Sequence, residues 1–167
     1  LYNTEHKKLK ETYESFEEFL KDHPAKAVVV VGDVNSTMAC SIVAKKLHKD
    51  LIHIEAGLRS YDRNMPEEIN RLLTDSISDY FFTTSLEANQ NLLREGVDSN
   101  RIQFVGNIMI DTLVSKLPYS QKPDIYRTYG LESGNYYLLT LHRTDNVDNA
   151  DALLDILRTV SASIGDR

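Results

Sequence analysis

Between His53 and Arg71 the chain reads His-Ile-Glu-Ala-Gly-Leu-Arg-Ser-Tyr-Asp-Arg-Asn-Met-Pro-Glu-Glu-Ile-Asn-Arg. Four carboxylates (Glu55, Asp62, Glu67, Glu68) and three arginines (Arg59, Arg63, Arg71) fall in this one connection. A connection that only turned a corner would need none of them. Carboxylates can move protons, and arginines can hold an anion. The stretch begins as an apolar strand, Leu51 to Ile54, and turns polar where that strand ends. Ligands of open parallel sheets bind beyond the carboxyl ends of the strands. The residue types therefore point to a site for a polar, anionic substrate.

The elements that must position these residues follow from periodicity. Leu9, Tyr13, Phe16 and Leu20 share one face of a helix over about residues 3 to 21. Ala27 to Val31 is an unbroken β-branched run, the pattern of a parallel strand covered on both faces. Asn35, Ser36 or Thr37 can cap a helix that runs to about Lys46. Leu51 to Glu55 is a second strand, and Pro66 suits the first position of the next helix. Ile69, Leu72, Leu73 and Ile77 are expected as that helix's buried face. A third strand is expected over residues 79–84, a helix over 86–95 and a fourth strand over 102–105. A helix from Ile110 to Leu117 follows. Pro118, Pro123, Gly130 and Gly134 mark a linker, and Tyr136 to Leu141 is expected as a fifth strand before a helix over 152–164. Alternating strands and helices imply an α/β fold, a Rossmann-like parallel sheet flanked by helices.

Parallel topology gathers Gly32-Asp33, Glu55, Thr84-Ser85, Gly106-Asn107 and His142-Arg143 at strand ends. Each has a blander role available. Asp33 can be a turn residue, Glu55 a surface acid, and His142 a structural histidine. Glu67 and Arg71 stand at i and i+4, the spacing of an ordinary surface pair worth about 0.3–0.5 kcal/mol.

Composition narrows the function. The chain has 167 residues, is 41% hydrophobic and 26% charged, and carries a net charge of -6. No basic stripe favours nucleic acid. A single cysteine, Cys40, fits a reducing cytoplasm and leaves no internal disulfide framework. No apolar run reaches membrane-spanning length. The glycines are too scattered for a dinucleotide or P-loop cradle, and no His or Cys spacing suggests zinc, so neither cofactor nor metal is expected. The chain opens at Leu1, already in a helical pattern, and reads as a piece of a longer protein.

Several separated motifs resemble one family. His53-Ile-Glu-Ala-Gly-Leu-Arg59 followed by Met65-Pro-Glu-Glu-Ile-Asn-Arg71 is similar to the signature of the non-hydrolysing UDP-N-acetylglucosamine 2-epimerases. Gly32-Asp33, Gly106-Asn107 with Asp111, and His142-Arg143 follow in that family's order. The resemblance implies a two-domain GT-B-type architecture. Residues 1–116 would be the later part of the first domain, 117–134 a linker, and 135–167 the start of the second. It implies interconversion of UDP-GlcNAc and UDP-ManNAc through elimination of UDP and its re-addition. It makes Asp33, Glu55, Glu67 and His142 candidate catalytic residues. Arg59, Arg71, Asn107 and Arg143 become substrate contacts, with a second UDP-GlcNAc as activator near Arg143 and a homodimer as the assembly. A 2-epimerase of a UDP-2,3-diacetamido-uronic acid and a non-catalytic UDP-sugar-binding module are the alternatives.

Overall fold

The computed structural model describes residues 2–119 and 125–164. The chain divides into two compact units, Leu1–Ser115 and Lys116–Arg167.

In the first unit, helix α1 (Tyr2–Asp22) leads into strand β1 (Ala27–Val31). Then come α2 (Asn35–Lys46), β2 (Asp50–Ala56), α3 (Pro66–Ile77), β3 (Tyr80–Thr83), α4 (Leu86–Arg94), β4 (Ile102–Phe104) and α5 (Ile108–Lys116). The four strands are parallel in the order β1-β2-β3-β4. This is the expected α/β class.

The strand order decides which face is covered. Each right-handed crossover steps one place in the same direction, so α2, α3 and α4 must all fall on one side of the sheet. That side carries Val28, Val30, Leu51, His53 and Phe81, all buried. Val28, Val30 and Leu51 pack with Leu20, Val43 and Ala44 into one cluster; Ala56, Phe81 and Leu92 form a second. Each fully buried Leu or Phe side chain contributes roughly 1.5–3 kcal/mol. On the opposite face Val29 and Val31 are exposed. The β-branched run of β1 is therefore covered on one face among the described residues, not on both as its pattern suggests.

Two further expectations change. Helix α2 starts at Asn35 behind Val34, and no side chain caps it. Helix α3 holds only half of its expected apolar face inward: Leu72 and Ile77 are half-buried, with Ile77 against the core, whereas Ile69 and Leu73 are exposed and Glu68, Asn70, Thr74 and Asp75 are buried. The reason is the set of polar partners that meet α3 from the sheet edge.

In the second unit, α6 (Ile125–Thr128), α7 (Thr144–Val147) and α8 (Ala150–Ile164) are the helices described. Residues 136–141, expected as a fifth strand, form none. A strand exists only through ladder bonds to another, and the described part of this unit offers no partner strand. Part of the expected linker, residues 120–124, lies outside the described residues. Among the described residues no helix is long and apolar enough to cross a membrane, and no group of three or more His, Cys, Asp or Glu side chains could hold a metal ion.

Candidate functional site

The carboxyl ends of β1 and β2 and the start of α3 meet at one place. Arg71 Nε donates to Asp33 Oδ2 at 2.9 Å, and Arg71 Nη1 donates to Glu68 Oε2. Asn70 Nδ2 donates to the Asp33 carbonyl at 2.8 Å and to Asn35 Oδ1 at 3.0 Å. Helix α3 thus grips the turn that follows β1 through two adjacent side chains. Arg71 pairs with Glu68 at i+3 spacing rather than with Glu67, the partner suggested by i+4 spacing in the sequence.

Glu68 is 1% exposed and fastens the β2–α3 connection. Its carboxylate accepts from Ser60 N at 2.9 Å, Tyr61 N at 3.0 Å and Ser60 Oγ at 3.0 Å. Burial alone would push this carboxyl up. The two backbone N–H groups, the Ser60 hydroxyl and the Arg71 charge outweigh it and hold Glu68 below the usual carboxylate range.

Glu55 sits at an irregularity. The β2–β3 register shifts between Ile54 and Ala56, and Glu55 has φ +68°. A non-glycine residue in this left-handed region stores of order 1–3 kcal/mol. Such bulges re-aim a side chain. Here the Glu55 carboxylate comes to lie over Gly32: a Cβ added at Gly32 would stand 3.5 Å from Glu55 Oε2. Gly32 itself has φ +69°, which lets the chain turn from β1 to Asp33. Glu55 and Asp33 therefore flank the same glycine turn.

Arg59 lies elsewhere. Its Nε and Nη2 donate to Glu95 at 2.8 and 2.5 Å, and its Nη1 donates to Asp75 Oδ2 and to the Leu58 carbonyl, both at 2.7 Å. Its side chain is 1% exposed. Burial would lower its guanidinium value, but Glu95 and Asp75 outweigh that and raise it. Arg59 was expected to contact substrate anions. In the structure two carboxylates occupy it, and it ties the β2–α3 connection to the end of α4.

The same connection is pinned from behind. A Cβ at Gly57 (φ +78°) would lie 2.5 Å from the Ala88 carbonyl, so α4 packs directly on the backbone there. Asn91 Nδ2 donates to the Gly57 carbonyl at 3.0 Å, and Tyr61 Oη donates to Asn91 Oδ1 at 2.8 Å.

Glu67 is exposed in the first turn of α3, and no described residue pairs with its carboxylate. Asn107 precedes α5, and its Oδ1 accepts from Met109 N at 2.9 Å, so it serves as a helix-start residue here. His142 and Arg143 belong to the second unit; both are exposed, and the Arg143 carbonyl accepts from the backbone N–H groups of Asn146 and Val147. The structure brings together Asp33, Glu55 and Arg71, with Glu67 on the same helix turn as Glu68. A separate cleft of about 400 Å³, lined in part by Leu72, Asp75, Phe81, Glu95 and Arg101, includes none of these candidates.

The sequence reading named Glu68 and Asn70 within the polar stretch without their bonds to Ser60, Tyr61 and the Asp33 turn, and it did not single out Asp75. One signal was present. Residues 67, 68, 70, 71, 74 and 75 form a polar band at helical spacing. The apolar residues at 69, 72, 73 and 77 obscured which band faces inward.

An open parallel sheet with a polar carboxyl edge is the layout in which α/β proteins bind ligands beyond their strand ends. The family model described as UDP-N-acetylglucosamine 2-epimerase matches residues 3–166. This chain belongs to the UDP-N-acetylglucosamine 2-epimerase family. It is 47% identical over 144 residues to the UDP-N-acetylglucosamine 2-epimerase of Methanocaldococcus jannaschii, covering 84% of this chain and 39% of that protein. It is 41% identical over 145 residues to the UDP-2,3-diacetamido-2,3-dideoxy-D-glucuronate 2-epimerase of Pseudomonas aeruginosa, covering 85% of this chain and 39% of that protein. The crystal structure of the Methanocaldococcus jannaschii enzyme in complex with UDP-GlcNAc and UDP superimposes with a TM-score of 0.78 at 44% identity, over 91% of this chain and 42% of that one. The chain thus spans about two-fifths of the length of these relatives.

Proposed function

We propose that the protein carrying this chain inverts C2 of the sugar in UDP-GlcNAc, giving UDP-ManNAc. The observation that carries the reading is the meeting of three separated motifs at one sheet edge. Gly32-Asp33, Glu55 and the Pro66–Arg71 turn converge there, joined by the Arg71–Asp33 pair.

The chemistry follows from the substrate. C2 has no adjacent carbonyl in the ring, so its proton is not acidic. Elimination solves this: a base takes the C2 proton, the C1–O bond to UDP breaks, and 2-acetamidoglucal and UDP remain. UDP then adds back at C1 while an acid delivers a proton to the other face of C2. Atoms balance, and no redox cofactor is needed. The reaction requires two proton-transfer groups with different environments and positive charge near the leaving diphosphate. Asp33, held by Arg71, and Glu55, on its bulge, have different environments, and Glu67 offers an exposed third carboxylate. These three are the acid/base candidates. His142 and Arg143 are assigned to the sugar and diphosphate side, with Arg143 as contact for a second, activating UDP-GlcNAc. Asn107 is assigned to substrate through the start of α5. Arg59 is better read as a positioning residue, because Glu95 and Asp75 already take its donors. We further read the assembly as a homodimer and the compartment as the cytoplasm.

The Pseudomonas aeruginosa relative supports a second reading, a UDP-2,3-diacetamido-uronic acid as substrate. Proton NMR in D2O on a protein of the relatives' length carrying this segment tests both. With UDP-GlcNAc, deuterium at C2 together with UDP-ManNAc signals is the expected result. Exchange only with the diacetamido-uronate would transfer the proposal to that substrate. Exchange with neither would overturn the epimerase reading.

A further inference from the structure

His53 lies on the buried face of β2 between Val30 and Phe81 and is fully buried. Its Nε2 is 3.0 Å from the Gly32 carbonyl oxygen, and its Nδ1 is 2.6 Å from Asp75 Oδ1. The carbonyl can only accept. The other Asp75 oxygen accepts from Gly57 N at 3.0 Å and is ion-paired with the Arg59 guanidinium at 2.7 Å, and as the anion of that pair Asp75 offers acceptors only. A neutral imidazole has one N–H and one acceptor nitrogen, which would leave an acceptor facing an acceptor. Buried polar groups without partners are costly, and here both ring nitrogens are placed to donate.

We propose that His53 carries a proton on each ring nitrogen and acts as the positioning residue for Asp33. The reading rests on the assignment of Asp33 as an acid/base residue given above. Gly32 is then held from two sides: its N–H donates to the Ile54 carbonyl at 3.0 Å, and its own carbonyl accepts from His53. The next residue is Asp33. Helix α3 reaches this turn by two routes, directly from Asn70 and Arg71 and from beneath through Asp75 and His53. A continuous chain runs from the Gly32 carbonyl through His53, Asp75 and Arg59 to Glu95 at the end of α4. It links the acid/base turn to two helices. The charges alternate along it, with His53 and Arg59 cationic, Asp75 and Glu95 anionic. Each buried ion therefore has an opposite neighbour.

The chain has five histidines. Replacing His6, His23, His48 and His142 by glutamine leaves His53 as the one imidazole to read. In a ¹⁵N-histidine-labelled sample at pH 7.5, both ring nitrogens are expected at protonated-type shifts with a directly bound hydrogen on each. One pyridine-type nitrogen overturns the proposal. A second measurement reads function in a protein of the relatives' length. His53→Gln keeps one amide donor but cannot serve both acceptors as donors. Its kcat is expected to fall at least tenfold, with KM changed less than twofold. A folded H53Q enzyme with unchanged kcat overturns the positioning role. If the unsubstituted protein turns over no UDP-sugar, the proposed function fails, and the ring-nitrogen measurement still decides where the proton sits.

Discussion

Arg71 and Asp33 are 38 residues apart in the chain and meet at 2.9 Å, with Glu68 on the other side of the guanidinium. One arginine thus neutralises a buried carboxylate and orients a candidate catalytic one.

Arg71→Ala should destabilise the first unit by roughly 3 kcal/mol, the scale for stranding one member of a buried pair. Three donors to Glu68 remain, so the loss should stay at the low end. Urea denaturation of both proteins measures it. Arg71→Lys restores charge without the two-armed geometry and should recover only part of the loss. A change below 0.5 kcal/mol, on the order of a surface substitution, would show that Glu68 does not depend on Arg71.

Neighbouring Glu67 and Glu68 should separate function from stability. Glu67→Gln is expected to leave the unfolding free energy within about 0.5 kcal/mol, because the side chain is exposed. Its turnover should fall on the order of 10²–10⁴-fold if Glu67 transfers a proton. Glu68→Gln should lower stability clearly, since the amide keeps one acceptor oxygen and must turn its NH2 either toward Tyr61 N or toward the Ser60 and Arg71 donors, and it gives up the charge paired with Arg71. Paired melting curves and D2O exchange assays distinguish the two; full turnover by E67Q would remove Glu67 from the mechanism.

Acid should unfold this unit through two carboxylates. Glu68 is held low by Ser60, Tyr61 and Arg71 against the opposing effect of burial. Asp79 is held low, also against burial, by Lys45 at 2.6 Å and the Leu51 N–H at 2.7 Å. A depressed folded value means the stabilisation is complete above the ordinary carboxylate value of about 4 and is lost as pH falls through the folded value. The urea midpoint should therefore drop below about pH 4, and E68Q should show a shallower drop. Equal slopes for both proteins would exclude Glu68 as a contributor.

Glu55→Gly should raise stability while ending turnover. Glycine adopts φ near +68° without the strain, which is worth roughly 1 kcal/mol. A higher Tm with no C2 exchange is the expected pair of results. A lower Tm would mean that contacts of the Glu55 side chain outweigh its backbone strain.

The elements of the first unit were legible because their signals are local. β-branched runs, Pro66 and Gly96 mark ends within a few residues of where they fall. What depended on distant partners was not legible. Which face of β1 the described residues cover follows from strand order, which no single run encodes. Among the described residues, 136–141 form no strand because no partner strand stands beside them. Of the candidates, Asp33 and Glu55 were picked out by type and position at strand ends and Arg71 by its place in the first turns of α3, and the structure sets the three near one another. The pairing of Arg59 with Asp75 and Glu95 was not legible, because an arginine beside a ligand edge and one held between two carboxylates look alike in sequence.

The polar buried positions of α3 have a consequence for anyone engineering this fold. Glu68, Asn70, Thr74 and Asp75 occupy interior positions where a stability-driven redesign would place leucine or isoleucine, and exposed Ile69 and Leu73 would be traded for lysine or glutamate. Such a variant could gain thermal tolerance while losing the Asn70 contact to the Asp33 turn and the Asp75 contact to His53 beneath it. Selection for heat resistance and selection for turnover would pull this one helix toward opposite sequences.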